Sequence, residues 1–208
     1  MIKDVHYKQN IDKISIKCLY QGRNQYDGRN MSQKTPLNSA RKIGPIVSSA
    51  HLVAPGAEEL SEFEFGLIIA NSGFERWIVR CMAAAGFAEL NALDIMVLHT
   101  VYHRNREKRL ADICLVLNVE DTHTVTYALK KLVRLELVLG RKQGKEKLFS
   151  TTEKGQNACQ QYREIRDACL VESFGVSGLP NEEISDLAGI LRALSGLYDQ
   201  ASRAATSL

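Results

Sequence analysis

Residues 110–147 of the chain read LADICLVLNVEDTHTVTYALKKLVRLELVLGRKQGKEK. The spacing of the apolar residues predicts a short helix over 110–117 and a second helix soon after it. Asn118 lies between them, and asparagine tolerates the left-handed backbone conformation that a tight turn needs. Asp121, with Glu120 as the alternative, is predicted to cap the second helix. The stretch therefore indicates two helices joined by a tight turn.

The second helix is amphipathic, with an outward face that is polar. Its inward stripe is predicted at Val125, Ala128 or Leu129, Leu132 and Leu135. The residues predicted to lie largely outside are Thr122, His123, Thr124, Thr126, Tyr127, Lys130, Lys131 and Arg134. A helix fits the major groove of DNA, where threonine and histidine side chains can bond base edges. Threonine and tyrosine hydroxyls can also reach phosphate oxygens. The pattern therefore predicts a helix that reads DNA.

A basic hairpin is predicted after this helix, with strands over 137–141 and 147–150 and a turn at 143–146. Residues 104–147 carry 11 basic and 6 acidic groups, whereas residues 51–103 carry 2 basic and 7 acidic groups. Such a basic island attracts phosphates irrespective of base sequence. The predicted phosphate contacts are Lys130, Lys131, Arg141, Lys142, Lys145 and Lys147. For any one of them, an ordinary solvated charge is the alternative interpretation.

Two helices are predicted before this unit. The first spans 58–85 and ends at Gly86, and the second runs from a cap at Asn91 to Tyr102. The first helix carries a heptad-like apolar stripe at Leu60, Phe63, Leu67, Ala70, Phe74, Trp77, Cys81 and Ala84.

Two further helices are predicted after the hairpin. One starts at Thr152 and runs to about Ser173, and the last begins at an Asn181 cap. The last helix has a narrow stripe, suited to packing against another helix, at Ile184, Leu187, Leu191, Leu194, Tyr198 and Ala201. The two heptad-bearing helices are therefore predicted to form a dimer interface through Leu60, Phe63, Leu67, Ile184, Leu187, Leu191, Leu194 and Tyr198.

Composition indicates a globular protein that stays in the cytoplasm. Residues 1–57 show no sustained helical or strand period and are predicted to be a basic, mostly irregular extension, in which Met31 suits a natural start. No apolar run approaches the roughly 18 residues that span a bilayer. Five cysteines, an odd number without a C-x-x-C pair, favour reduced and mostly buried thiols.

The order of helices, turn and hairpin resembles the MarR family of bacterial transcription regulators over residues 58–205. The pairs Ile113-Cys114 and Leu117-Asn118 resemble the family's Leu-Ala and Leu-Gly pairs. Thr124-Val125-Thr126 is similar to the front of the family's recognition helix. Thr-Glu-Lys-Gly at 152–155 is similar to the usual start of the segment that follows the family's β-hairpin, or wing.

The chain also departs from that family pattern. Compared with the family pattern, the turn between the two helices has one extra residue, Glu120. Glu136 lies where the family usually has a glycine before the wing. The family's Asp-x-Arg-x-Arg wing signature is replaced by GRKQGK at 140–145.

The resemblance implies a mainly α fold with a small β-hairpin wing, in which a winged helix-turn-helix domain is flanked by dimerisation helices. The implied segments are 58–90 for the first dimerisation helix, 91–151 for the DNA-binding domain and 152–208 for the last helices. It implies a homodimer on a pseudo-palindromic operator, and a cleft that takes a small aromatic effector. Candidate wall residues of that cleft are Trp77, Cys81, Met96, His99 and Thr100.

Other functions have less support in the sequence. No arrangement of nucleophile and base or of paired carboxylates indicates an enzyme, and no cofactor is predicted. His99 and His103 lie four apart on one helix face, but two ligands do not make a metal site. A thiol-based sensor at Cys81, Cys159 or Cys169 and a winged-helix module that binds protein remain the alternatives.

Overall fold

The computed structural model describes residues 58–176, 178 and 180–208. The predicted extension over 1–57, with Met31 and Cys18, lies outside the described residues.

Helix α1 spans Glu58–Ala84, with Glu58 and Glu59 placed where the amino-terminal dipole favours acids. It ends at Gly86, whose φ is 95°. The Phe87 N–H donates to the Met82 carbonyl at 3.1 Å, which is the closing bond of a Schellman motif. The predicted helix and its end at Gly86 are confirmed.

The buried face of α1 differs from the predicted stripe. The apolar residues of α1 that enter the core are Ile78, Cys81 and Met82, and Ala85, just after the helix, continues the same face with the spacing i, i+3, i+4, i+7. Phe74 is 53% exposed and Ala84 is exposed. The heptad-like stripe therefore does not form one buried face, because the buried apolar residues of α1 lie in its last turns.

Helix α2 spans Ala92–Tyr102 and lies at the centre of the core. A capping box fixes its start: the Asp94 N–H donates to Asn91 Oδ1 and the Asn91 N–H to Asp94 Oδ2, both at 2.9 Å. The predicted cap is confirmed. Ile95, Val97, Leu98 and Val101 are all at most 1% exposed, since α1, α3, α4 and α5 surround this helix.

A 3₁₀ turn at His103–Asn105 and a two-residue strand β1 at Lys108–Arg109 follow α2. This strand was not predicted. Lys108 is 6% exposed, and its Nζ donates to the carbonyls of Val101, His103 and Arg106 at 3.1, 2.5 and 3.2 Å. A cation at the carboxyl end of a helix is favourable, so Lys108 joins the end of α2 to the sheet.

The helix-turn-helix consists of α3 at Leu110–Leu117 and α4 at Thr122–Arg134. Asn118 adopts the predicted left-handed conformation (φ 51°, ψ 44°). Asp121 Oδ1 accepts from the His123 N–H at 2.9 Å, so Asp121 is the cap rather than Glu120. The inward stripe is confirmed, and both alternatives in it, Ala128 and Leu129, are buried.

Strands β2 (Val138–Gln143) and β3 (Glu146–Thr151) form the hairpin, hereafter the wing. The sheet is antiparallel in the order β1-β3-β2. Gln143 pairs with Glu146, so the strands are longer and the turn shorter than predicted. Gly144 has φ 59°, and a positive φ at the first of two turn residues suits a type II′ hairpin.

Helix α5 spans Glu153–Arg166, and Thr152 caps it by accepting from the Gly155 N–H at 3.0 Å. A π-helical segment at Asp167–Val171 and a short helix α6 at Glu172–Val176 prolong it, close to the predicted end. The last helix, α7, spans Asn181–Ala205.

The predicted Asn181 cap of α7 is wrong by one residue. Pro180 occupies the cap position with φ −66° and ψ 141°, because the proline ring fixes a φ that suits the extended residue before a helix. Among the described residues, no helix is both long and apolar enough to span a membrane.

Candidate nucleic-acid interface

The first two turns of α4 present an exposed polar surface. Thr122, His123 and Thr124 are exposed, and Tyr127 is 69% exposed, because the apolar stripe turns the opposite face into the core. The Thr124 hydroxyl donates to the Asp121 carbonyl at 2.7 Å. A hydroxyl that donates internally still offers oxygen lone pairs, so Thr124 remains able to accept a hydrogen bond from a base amino group.

Thr126 is less available than predicted. It is half-buried, and its hydroxyl donates to the Thr122 carbonyl at 2.8 Å. This bond to a carbonyl one turn earlier holds the side chain along the helix.

The two lysines at the end of the predicted reading face differ in their surroundings. Lys130 is exposed, and its Nζ lies 5.4 Å from the centroid of the Tyr127 ring. Lys131 is half-buried, and its Nζ contacts Asp94 Oδ2 and the Glu89 carbonyl, both at 2.6 Å. The Asp94 side chain is only 3% exposed. Lys131 therefore ties α4 to the start of α2 and does not lie on the outward face where the sequence placed it.

The wing has two faces, which strand alternation separates. Lys142 and Lys147 are cross-strand partners and lie on the same face as the buried Phe149; Lys147 Nζ is 5.4 Å from the Phe149 ring centroid. We call this the inner face. Among the described residues, Lys142, Lys145 and Lys147 form no ion pair.

The opposite, outer face carries Arg141, which pairs in register with Leu148. Its guanidinium donates to both oxygens of Glu107, from Nε at 3.0 Å and from Nη2 at 2.6 Å. These hydrogen bonds hold the pKa of the Glu107 carboxyl below its usual value. Arg109 is similarly paired, with Asp112 at 3.1 Å and Glu146 at 3.6 Å.

A groove of about 570 Å³ separates α4 from the wing. Its lining combines the apolar Leu129, Val133 and Phe149 with charged residues, which are Lys130 of α4, Lys147 and Glu146 of the wing, and Arg109. The groove is thus lined by cations of both the helix and the inner face.

Of the five residues predicted to line the effector cleft, His99 lines a described cavity. His99 lines a cavity of about 530 Å³ together with Tyr102, His103, Arg104, Asn105 and Gln156. The other four predicted residues do not line that cavity: Cys81 and Thr100 are buried, while Trp77 and Met96 are half-buried. Cys81 Sγ donates to the Tyr162 carbonyl at 3.4 Å, and the Thr100 hydroxyl to the Met96 carbonyl at 2.8 Å.

His99 is the one predicted pocket residue with an unusual environment. Its ring meets the Tyr162 ring edge-on at 4.6 Å. Its Nε2 is buried and has no hydrogen-bond partner within the described part of the chain. Burial lowers the pKa of His99, so the imidazole is neutral at neutral pH. Across residues 58–176, 178 and 180–208, no group of three or more potential metal ligands occurs.

The residues predicted for the dimer interface are mostly exposed. Leu60, Leu67, Ile184, Leu187, Leu191 and Tyr198 are between 37% and 46% exposed, and Phe63 and Leu194 are half-buried. None of the described residues of α7 is buried. Tyr198 makes one hydrogen bond to α1, from its hydroxyl to Glu64 Oε1 at 3.2 Å. Both helices therefore present large apolar side chains to the surroundings of the single chain.

The described cysteines are mostly core residues. Cys81, Cys114 and Cys159 are buried, whereas Cys169 is exposed. Burial raises the pKa of Cys81 to about 11 and that of Cys159 to about 12. Since the thiolate is the reactive form, these two residues have the properties of structural thiols.

Three charged residues of the interface were not identified from the sequence. Lys108 supports the turn after α2, and Glu107 and Arg109 control the charge of the wing's outer face. The run of charges at 104–109 was the signal available, but it gave no partner for any of them.

Comparisons with known proteins agree with this geometry. Residues 90–155 match the family model of a winged helix DNA-binding domain. The chain is similar to a MarR family regulator from Rhodococcus sp. RHA1, at 16% identity over 63% of this chain and 91% of that one, with a TM-score of 0.51. It is also similar to the MarR family regulator NMB1585 from Neisseria meningitidis, at 19% identity over 69% of this chain and 95% of that one, with a TM-score of 0.55.

A third similar structure is CouR from Rhodococcus jostii RHA1 bound to p-coumaroyl-CoA, at 14% identity over 64% of this chain and 90% of that one, with a TM-score of 0.51. A sequence comparison with curated proteins gave no match. Helix-turn-helix, three-stranded sheet and family model together define a winged helix domain. Within that class, the chain has the fold of MarR family regulators, as the sequence resemblance predicted.

Proposed function

We propose that this protein is a transcriptional regulator that binds DNA through α4 and the wing. The exposed first turns of α4 carry the proposal, because Thr122, His123 and Thr124 stand clear of the core on a helix able to enter a major groove. Lys130 on α4 and Lys142, Lys145 and Lys147 on the wing supply attraction to phosphates. The expected site of action is the cytoplasm.

The regulator is proposed to act as a homodimer on a pseudo-palindromic operator. Support comes from the apolar residues of α1 and α7, which a single chain leaves exposed and a second copy would cover. Two copies of α4 would then read half-sites about one helical turn apart.

Control by a small effector is the finer part of the proposal. The structure of CouR with p-coumaroyl-CoA shows that a protein of similar fold holds a small molecule. In this chain, the cavity beside His99 is the candidate position. An effector that favours one spacing of the two DNA-binding domains would change operator affinity.

Recovery and sequencing of genomic fragments bound by the full-length protein tests the function. The expected result is enrichment of a short motif with two-fold symmetry. His123→Ala or Thr124→Ala should reduce discrimination between that motif and random DNA more than it reduces binding to random DNA. Lys142→Ala should weaken binding to all duplexes alike. Fragments without a shared motif would contradict the proposal.

A module that binds protein rather than DNA is the second candidate. The same exposed helix could contact a protein partner, but the basic inner face of the wing favours a polyanion. Failure of the full chain to retard any duplex at low salt would favour the protein partner.

A further inference from the structure

The charges of the wing are divided unequally between its two faces. On the outer face, Arg141 and Arg109 have acidic partners. On the inner face, Lys142 and Lys147 have none among the described residues. We infer that the DNA backbone is bound by the inner face alone, and that Glu107 keeps Arg141 out of the set of phosphate contacts. This inference rests on the proposed function, DNA binding, and names the face of the wing that contacts the DNA backbone.

The geometry of the Arg141–Glu107 pair is the first reason. Two parallel hydrogen bonds, at 3.0 and 2.6 Å, join the guanidinium to both carboxylate oxygens. An arginine fork matches carboxylate and phosphate in the same way. Glu107 therefore takes the Nε–Nη2 edge of the guanidinium and balances its charge, and Arg141 Nη2 also donates to Gln143 Oε1 at 3.1 Å.

The position of Glu107 is the second reason. Glu107 immediately precedes β1, which pairs with β3, while Arg141 lies on β2 on the other side of β3. Lys108, the next residue, is fixed by three carbonyls at the end of α2. The backbone next to Glu107 is thus anchored to the core through Lys108.

The inner face provides the contrast. Lys142 and Lys147 are directly opposite each other in the ladder, and like charges in that position repel. An anion near both would relieve that repulsion. Lys130 of α4 lines the same groove as Lys147, and the Glu146 that also lines it is paired with Arg109, so the two lysines are the cations of that groove without an acidic partner among the described residues.

The salt dependence of binding to a random-sequence duplex tests this division. Each phosphate contact contributes about 0.9 to the slope of log K against log salt. Lys142→Gln is expected to flatten the slope by about 0.9, whereas Arg141→Gln leaves it unchanged. Glu107→Gln is expected to steepen the slope by about 0.9, because it releases Arg141 to bind a phosphate.

Two controls separate the ion pair from a general change of charge. Glu136→Gln removes an exposed carboxylate near the wing that has no ion pair to a described residue, and its slope should equal the wild-type slope. The double variant of Glu107→Gln and Arg141→Gln should also return to the wild-type slope. Between 50 and 200 mM salt, the gain in affinity from Glu107→Gln should shrink about 3.5-fold.

Two results would overturn the inference. One is an Arg141→Gln slope as flat as that of Lys142→Gln, since Arg141 would then contact phosphate despite Glu107. The other is weaker binding by Glu107→Gln, since Glu107 would then orient Arg141 toward DNA. Binding to random duplex without any preferred motif would refute the proposed function while leaving these slopes decisive. A chain that binds no duplex would refute both.

Discussion

Replacement of Glu136 by glycine is expected to stabilise the protein. Glu136 has φ 61°, at the point where α4 ends and the wing begins. The Leu137 N–H donates to the Leu132 carbonyl at 2.9 Å and the Glu136 N–H to the Val133 carbonyl at 3.0 Å. This is a Schellman motif, which favours glycine in the left-handed position.

The size of the effect follows from two opposing terms. A left-handed residue with a Cβ costs roughly 1–2 kcal/mol, and glycine in the unfolded chain costs roughly 0.5–1 kcal/mol in entropy. The mid-points of the two ranges leave a net gain of about 0.75 kcal/mol. For a chain of this length, the melting temperature should rise by roughly 1–4 °C.

Thermal and urea denaturation of the wild type and of Glu136→Gly measure the gain. Glu136→Ala is the matched control, because it removes the same carboxylate but keeps a Cβ in the left-handed position. An alanine variant as stable as the glycine variant would show that charge or side-chain contacts, and not backbone strain, set the cost at Glu136.

Two other positions give predictions of opposite kinds. Gly155→Ala should destabilise the protein, because a Cβ there would lie 2.0 Å from the Leu137 carbonyl oxygen. The expected loss in urea denaturation is about 3 kcal/mol, at the upper end for overpacking. Gly66→Ala is the control and should be neutral or stabilising, because its Cβ would meet nothing within 4 Å. Burial lowers the pKa of His99 in the folded chain. As pH falls below about 6.5, His99 is therefore protonated in the unfolded chain before it is protonated in the folded chain, and the folded state loses stability. The melting temperature of wild type should therefore drop more between pH 7.5 and 5.5 than that of His99→Phe, and an equal drop would exclude His99 as the cause.

The helix-turn-helix could be predicted from the sequence because its signals are local. Asn118 and Asp121 act within two or three residues of themselves, through a left-handed turn and a cap. The apolar spacing of α4 fixes its inward face in the same way. Such signals depend little on what the rest of the chain does.

The features that the sequence did not reveal depend on distant partners. Lys131 bonds to Asp94, 37 residues away, and Arg141 to Glu107, 34 residues away. Nothing in the local pattern distinguishes these cations from Lys130 and Lys142, which have no such partners among the described residues. Strand β1 was missed for the same reason, since two basic residues become a strand only by pairing with β3.

The stripe of α1 shows a different limit. A heptad pattern identifies apolar residues on one helix, but it does not say which turns of that helix meet the core. The last turns bury Ile78, Cys81 and Met82, whereas Leu60 and Phe74, earlier in the same helix, are exposed. The apolar residues left outside are the ones on which the proposed dimer depends.

The position of the wing relative to α4 is fixed at both of its ends. At the start, the Schellman turn at Glu136 directs the chain from α4 into β2. At the end, the Thr152 hydroxyl donates to the Glu136 carbonyl at 2.6 Å and the Thr152 N–H to the Leu137 carbonyl at 3.1 Å, while Gly155 allows close approach to Leu137. Because these contacts involve the backbone of Glu136 and not its side chain, Glu136→Gly should leave the inner-face lysines in place. The same variant that stabilises the fold is therefore expected to bind DNA with unchanged affinity, and a loss of affinity would show that the strained turn itself sets the wing's position.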